Sequence, residues 1–294
     1  MIKRSIALLA LVASVCVMAP LAGDRSSSTA APITGGRVHQ VFQPRDGKVF
    51  VLIIGNDARS GNPDRSRADA IHLAGINTRT MKGGVLNFPR DSYINIPGSG
   101  SGRINEALYR GGPELVVRSV ESLTGIRIDY WLMTGFVGFQ KAIEDLGRVP
   151  MKINQGIYDQ GGSGAKIPAG TEWLYGASSL AYVRTRKAFA GGDIARTTNQ
   201  GKYLLALLRK LRTDIERNPA SMFEWMGVAR KWTRLDIPPD ELFRLAVLAS
   251  QVKPGDVGNV TVPVTVGSAG AASVVFIQPE ANSIYSRFKA KGSL

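Results

Sequence analysis

Arginines and aspartates gather at a few points of this 294-residue chain, each beside a run of apolar residues. Asp57-Ala58-Arg59 comes just after Val49-Phe50-Val51-Leu52-Ile53-Ile54; Arg67-Ala68-Asp69 precedes Ile71; Pro89-Arg90-Asp91 follows Val85-Leu86-Asn87-Phe88. Asp57 and Asp69 are carboxylates able to hold a hard cation, because magnesium takes one or two carboxylates and completes its shell with water and phosphate oxygens. Arg59, Arg67 and Arg90 offer the planar fork that grips phosphate in a way an ammonium cannot. Further on, Arg184 and Arg186 stand two apart in Ala181-Tyr182-Val183-Arg184-Thr185-Arg186, so on an extended segment they share a face. Gly191-Gly192-Asp193-Ile194-Ala195-Arg196 then opens a helical stretch that carries Arg196 and Gln200 on one side, next to the donors and partial positive charge of a helix N-terminus. Neighbouring Arg and Asp usually form weak surface ion pairs, so the clustering, rather than any single residue, carries the reading: a site for a polyanion.

The elements that must position these residues alternate. Val49–Ile54 is short, β-branched and closed by Gly55, the pattern of a strand buried on both faces. Ile71–Ile76, Val85–Phe88, Ile128–Met133, Val149–Ile153, Val257–Val264 and Ala272–Ile277 read as further strands. Helical spacing marks Pro113–Leu123, with proline in the first turn and Gly125 past its end, then Phe136–Leu146, Ile194–Arg217, Pro219–Trp232 and Pro239–Gln251. Alternation predicts an α/β fold, helices on both faces of a central sheet. In such sheets ligands bind at strand ends, where the first three clusters fall.

The balance of 37 Lys and Arg against 23 Asp and Glu gives a net charge of +14, which suits phosphorylated substrates, nucleic acid or a membrane surface. The single cysteine, Cys16, lies in the N-terminal apolar stretch, so the body has no disulfide framework, thiolate cluster or cysteine nucleophile. Only His39 and His72 are present, and His72 reads as a strand residue rather than a ligand. Trp131, Trp173, Trp225 and Trp232 read as core or interface rather than sugar platforms. Met1-Ile2-Lys3-Arg4 followed by the uncharged run Ser5–Ala22 reads as an export signal, either cleaved or retained as an anchor. The expected organisation is a signal peptide or membrane anchor over 1–23, a Ser/Thr/Ala/Pro-rich linker over 24–48, a catalytic domain over 49–217 and a C-terminal extension over 218–294, packed on the same domain.

From about Val49 to Leu211 the chain resembles the LytR–CpsA–Psr family of bacterial envelope enzymes. The resemblance rests on the order and spacing of Gly55-Asn56-Asp57-Ala58-Arg59, Arg67-Ala68-Asp69, Pro89-Arg90-Asp91, Arg103-Ile104-Asn105, Gly111-Gly112-Pro113, Tyr182-Val183-Arg184-Thr185-Arg186, Asp193, Arg196 and Gln200. Arg148 and Asn199 depart from the family, which often has glycine and arginine there. The resemblance implies a three-layer α-β-α domain with a central mixed sheet, outside the cytoplasmic membrane, in the periplasm or on the membrane's outer face. It implies a magnesium-dependent transfer of a glycopolymer from a polyprenyl pyrophosphate carrier to peptidoglycan or another envelope acceptor. By the same resemblance, Asp57 and Asp69 would hold Mg2+, and Arg67, Arg90, Arg184, Arg186, Arg196 and Gln200 would contact the pyrophosphate. Arg59 and Arg103 would be supporting cations, and Asp91 and Asp193 would orient arginines or take the acceptor's proton. The carrier would need an apolar tunnel between the sheet and its helices.

With so few histidines an aspartate is the expected base, Asp91 first. Two rival readings are a pyrophosphatase or phosphatase on the same lipid carrier, with water as acceptor, and a non-catalytic binder of anionic envelope polymers. Nucleic acid is not an expected partner: no helix-turn-helix pattern is present, and the export signal places the domain away from DNA.

Overall fold

A computed structural model describes residues 46–58 and 66–294; the apolar N-terminal stretch, the expected linker up to residue 45, and Arg59 lie outside the described residues. The first run forms strand β1 (Lys48–Asn56), which pairs antiparallel with β2 (Ala68–Asn77); β2 pairs antiparallel with β3 (Lys82–Asn87). On the other side β1 pairs parallel with β6 (Tyr130–Thr134). The two outer strands come from beyond residue 217: β11 (Arg234–Leu235) beside β6, and β12 (Val257–Thr261) parallel to β3. The result is a six-stranded mixed sheet of order β11-β6-β1-β2-β3-β12.

The sheet's two faces differ. Phe50, Leu52 and Ile54 of β1 stand opposite Gly75, Leu73 and Ile71 of β2, and the cluster containing them is buried with α1 (Glu106–Thr124) and α7 (Ala281–Lys291). Phe288 of α7 meets Phe50 edge-on, ring centroids 5.3 Å apart. Ile53, one residue out of phase, pairs with His72 and Leu132 and faces the other way. That face carries α2 (Phe136–Leu146), α3 (Gly176–Arg184), α4 (Gly192–Arg217) and α5 (Ser221–Trp232), with α6 (Pro239–Gln251) following. The α-β-α architecture is therefore as expected. Ile53 is only half-buried, unlike the fully buried strand predicted, because a cavity lies between it and the helices.

Smaller elements frame the site. β4 (Tyr93–Ile96) and β5 (Gly100–Arg103) form a hairpin after Asp91. β7 (Val149–Pro150), shorter than expected, pairs with β10 (Trp173–Leu174), and β8 (Ile157–Asp159) pairs with β9 (Ala165–Ile167) over a second core containing Ile143, Tyr182 and Tyr203. The predicted strand Val257–Val264 divides at Pro263, after which β13 (Val264–Ala269) pairs with β14 (Ala272–Ile277). Proline has no N–H to donate to a ladder.

Candidate functional site: a polar cavity joined to an apolar one

Asp57 and Asp69 are delivered by the adjoining ends of β1 and β2. Pairing continues past the strands: Asp57 N donates to Arg67 O (3.2 Å), and Asp57 Oδ1 accepts from Arg67 N (2.9 Å). The register slips here, Gly55 opposing Ala70 and Asn56 opposing Ala68, so Asp69 is the extra residue of a bulge. A bulge re-aims a side chain, and Asp69 accepts a hydrogen bond from Arg90 Nη1. Arg90 sits in the turn after β3, held by Ser92 N donating to Pro89 O (3.0 Å) and Asn105 N donating to Arg90 O (3.1 Å).

The second half of the site comes from the entry to α4. Asp193 in its first turn lies 2.9 Å from Arg196 Nη2, 3.5 Å from Arg90 Nε and 3.8 Å from Arg186 Nη1, so one carboxylate holds three guanidinium groups near each other. Arg184 and Arg186 do not lie on an extended segment as expected. Arg184 ends helix α3, and the chain turns extended only at Thr185. Both arginines still reach the same cavity. Arg184 stacks over Phe136, 4.5 Å from the ring centroid, and Arg186 N donates to Asp159 Oδ2 (3.2 Å).

Asp57, Asp69, Arg90, Arg184, Arg186 and Arg196 together line a polar cavity of about 210 Å³, with Phe136, Gly162 and Ser163 completing its wall. Among the residues that line it, four arginines stand against two aspartates. Arg90 Nε and Arg196 Nε are buried donors without a hydrogen-bond partner in the described structure. Buried donors are nearly always satisfied, and an anion bearing several oxygens would satisfy these. Burial pushes the Arg196 guanidinium below its ordinary value, with Asp193 acting against it; arginine remains charged in either case.

Other expected residues stand elsewhere. Arg67 braces Asp57 through its backbone, and its exposed side chain lines a neighbouring cavity. Arg103 Nε donates to Glu106 Oε1 (3.0 Å), and its Nη1 lies 3.9 Å from Asp91. Asp91 does not line the polar cavity; its partly exposed side chain lies beside it, Oδ2 3.7 Å from Arg90 Nε. Burial raises its pKa above the usual carboxylate value, and Asp193 adds to this, while Arg90 and Arg103 act against it. Gln200 Nε2 donates to Val183 O (3.0 Å), and Gln200 faces the apolar cavity described next.

That cavity, of about 300 Å³, lies between the sheet and helices α2 to α5. Its walls include Ile53, Leu132, Phe139, Ile143, Leu180, Leu204, Leu207, Trp225 and Val228. Asp69, Phe136, Arg184 and Arg196 belong to the walls of both cavities. His72 also faces it. Asn87 Nδ2 donates to Val260 O (2.9 Å), which leaves Asn87 Oδ1 to accept from His72 Nδ1 at 2.7 Å. Burial pushes the His72 pKa down to about 4, so the ring is neutral at pH 7.

Sequence reasoning missed Phe136, Gly162 and Ser163. Phe136 follows the end of β6, so the strand-end rule could have found it; Gly162 and Ser163 carried only a Gly-rich turn signal.

A model of the LytR_cpsA_psr family matches residues 19–290, nearly the whole chain. The chain belongs to the LytR–CpsA–Psr family. It is 36% identical over 170 residues to "Probable cell wall biosynthesis protein LcpB" of Corynebacterium glutamicum, a match covering 53% of this chain and 40% of that protein. It is 34% identical over 180 residues to TagT of Bacillus subtilis, a polyisoprenyl-teichoic acid–peptidoglycan teichoic acid transferase, covering 58% of this chain and 55% of TagT. The chain thus spans about half the length of the curated relatives it matches. Among solved LytR–CpsA–Psr structures, YwtF (TagT) of Bacillus subtilis with bound octaprenyl pyrophosphate lipid shares the fold, with a TM-score of 0.67 at 22% identity over 87% of this chain and 94% of that one.

Proposed function

We propose that this chain works outside the cytoplasmic membrane and transfers a glycopolymer from a polyprenyl pyrophosphate carrier to peptidoglycan or another envelope acceptor. The observation that carries this is the shared wall: an arginine-lined polar cavity opens into an apolar one through Asp69, Phe136, Arg184 and Arg196. Such a site fits an amphiphile with a pyrophosphate head and a hydrocarbon tail. A nucleic acid would leave the apolar half unused. TagT's name states a transfer from a polyisoprenyl carrier to peptidoglycan, and octaprenyl pyrophosphate is the lipid in its structure.

Arg90, Arg184, Arg186 and Arg196 would bind and orient the pyrophosphate, with Asp193 holding three of the four in place. The acceptor hydroxyl oxygen attacks the phosphorus that bears the glycan. A new P–O bond forms there, the bond to the polyprenyl phosphate breaks, and its electron pair leaves with that phosphate, whose charge the arginines stabilise. The hydroxyl proton passes to Asp91, whose raised pKa suits a base better than an ordinary aspartate. Arg59 and Arg103 are assigned as supporting cations, and Gln200 as a contact at the junction of head and tail.

Asp57 and Asp69 fit magnesium: both are hard oxygen donors on the wall of the cavity that would take the phosphates, and Asp69 would be shared with Arg90. When bound, the ion would neutralise charge on the pyrophosphate oxygens.

The test is to supply glycosylated polyprenyl pyrophosphate and magnesium, with and without a peptidoglycan fragment. A glycan–phosphodiester product that forms only with the fragment supports transfer. Release of glycan phosphate at the same rate in its absence identifies a phosphatase acting with water. Binding without either product supports a receptor.

A further inference from the structure

A third cavity, of about 600 Å³, touches the polar one at Asp57 and is otherwise unused by the reading above. Its remaining walls are Ser66, Arg67, Glu106, Tyr109 and Arg110. Three of these come from the first turn of α1, which is set apart from the rest of that helix. The helical path breaks at Gly111 and Gly112, and Pro113 begins the next segment. Gly112 has φ +70° and ψ −172°, a conformation open essentially to glycine alone. The motif Gly111-Gly112-Pro113 thus has a structural purpose: it turns residues 106–110 toward the cavity as a separate unit.

That unit has the chemistry of a saccharide site. Tyr109 is 63% exposed, which leaves much of its ring open to a ligand. Glu106 is gripped from two sides, Arg103 Nε donating to Oε1 and Arg110 Nη2 to Oε2, while Arg110 Nη1 donates to Ser99 O (2.8 Å). A fixed fork of donors and acceptors beside an open aromatic ring suits a ligand that presents hydroxyls at its edges and C–H groups on its face. Asp91 lies between the two sites, since it contacts Arg90 of the polar cavity and Arg103, which holds Glu106.

We infer that this third cavity is a saccharide subsite, with Tyr109 as the stacking platform and the Glu106–Arg110 pair as its hydrogen-bonding edge. The inference rests on the transferase reading. The sugar has two available sources: the first residue of the donor glycan, carried on the pyrophosphate, or the acceptor glycan brought to Asp91.

The experiment uses the purified protein, Tyr109→Ala and Tyr109→Phe, with two measurements. The first is affinity for polyprenyl pyrophosphate with and without one attached N-acetylhexosamine; the second is KM and kcat for a peptidoglycan disaccharide fragment. Loss in Tyr109→Ala of roughly tenfold in the preference for glycosylated over bare lipid, restored in Tyr109→Phe, supports a donor-sugar subsite. A roughly tenfold rise in KM for the fragment with kcat kept, again restored by phenylalanine, supports an acceptor subsite. If Tyr109→Ala changes neither, while wild-type protein binds the lipid and transfers, the inference is overturned and the transferase reading stands. Wild-type protein that binds neither lipid overturns both.

Discussion

The polar and apolar cavities share four wall residues yet are built on opposite plans. In the polar cavity six of the nine lining residues are charged, and positions are set by cross-pairing: Asp193 holds Arg90, Arg186 and Arg196, and Asp69 holds Arg90. In the apolar cavity no residue carries more weight than its neighbours, and the space exists because α2 to α5 stand off the sheet at Ile53 and Leu132. The first discriminates by geometry and charge, the second by volume. One therefore fails abruptly when a single residue changes, the other gradually.

The sharpest way to test the polar half is to remove chemistry while keeping binding. Asp91→Asn is expected to lower kcat by roughly 10²–10⁴ while lipid affinity stays within a few fold, measured by steady-state transfer and by lipid titration. Equal loss of binding would make Asp91 a positioning residue for Arg90 instead.

A smaller effect lies in the apolar half. Folded His72 holds its proton only below about pH 4, against about 6.5 for an imidazole in water. Between those values the unfolded chain binds more protons, so stability rises with pH and is lost as pH falls from about 6.5 to 4, by on the order of 3 kcal/mol. Urea titrations across that range should show this acid loss reduced in His72→Gln. An unchanged pH slope would assign the loss to other groups.

The smallest expected change separates the two cavities directly. Leu204→Trp places bulk in the apolar wall and should weaken octaprenyl pyrophosphate about tenfold while leaving inorganic pyrophosphate binding unchanged. Equal weakening of both would show that the two cavities do not act independently.

The two halves were also unequally legible in the sequence. Arginine and aspartate near strand ends, in a fixed order, announced the polar cavity, and all six of its charged residues were recognisable without knowing the strand order. The bulge at Asp69 was invisible, because a one-residue slip leaves no mark on an apolar run. The Arg184–Arg186 pair was found for the wrong reason: periodicity of two suggested a strand, whereas a helix ends between them. The apolar cavity could be expected but not located, since Leu204, Trp225 and Val228 look like ordinary core positions on their helices. Of the sheet's outer strands, β12 falls within the predicted Val257–Val264, but β11 carries no such signal. β11 is two residues long and owes its place to pairing with β6, a contact about a hundred residues away in sequence.

The most direct test of the central claim is mass spectrometry of lipids that co-purify with the protein from bacterial membranes in buffers containing magnesium, comparing wild type with a folded Arg90→Ala, Arg184→Ala double variant. The proposed transferase site is expected to carry a polyprenyl pyrophosphate or phosphate on the wild type and to lose it in the variant. No such lipid on either would contradict this, and an equal amount on both would show that the arginines do not hold the head group.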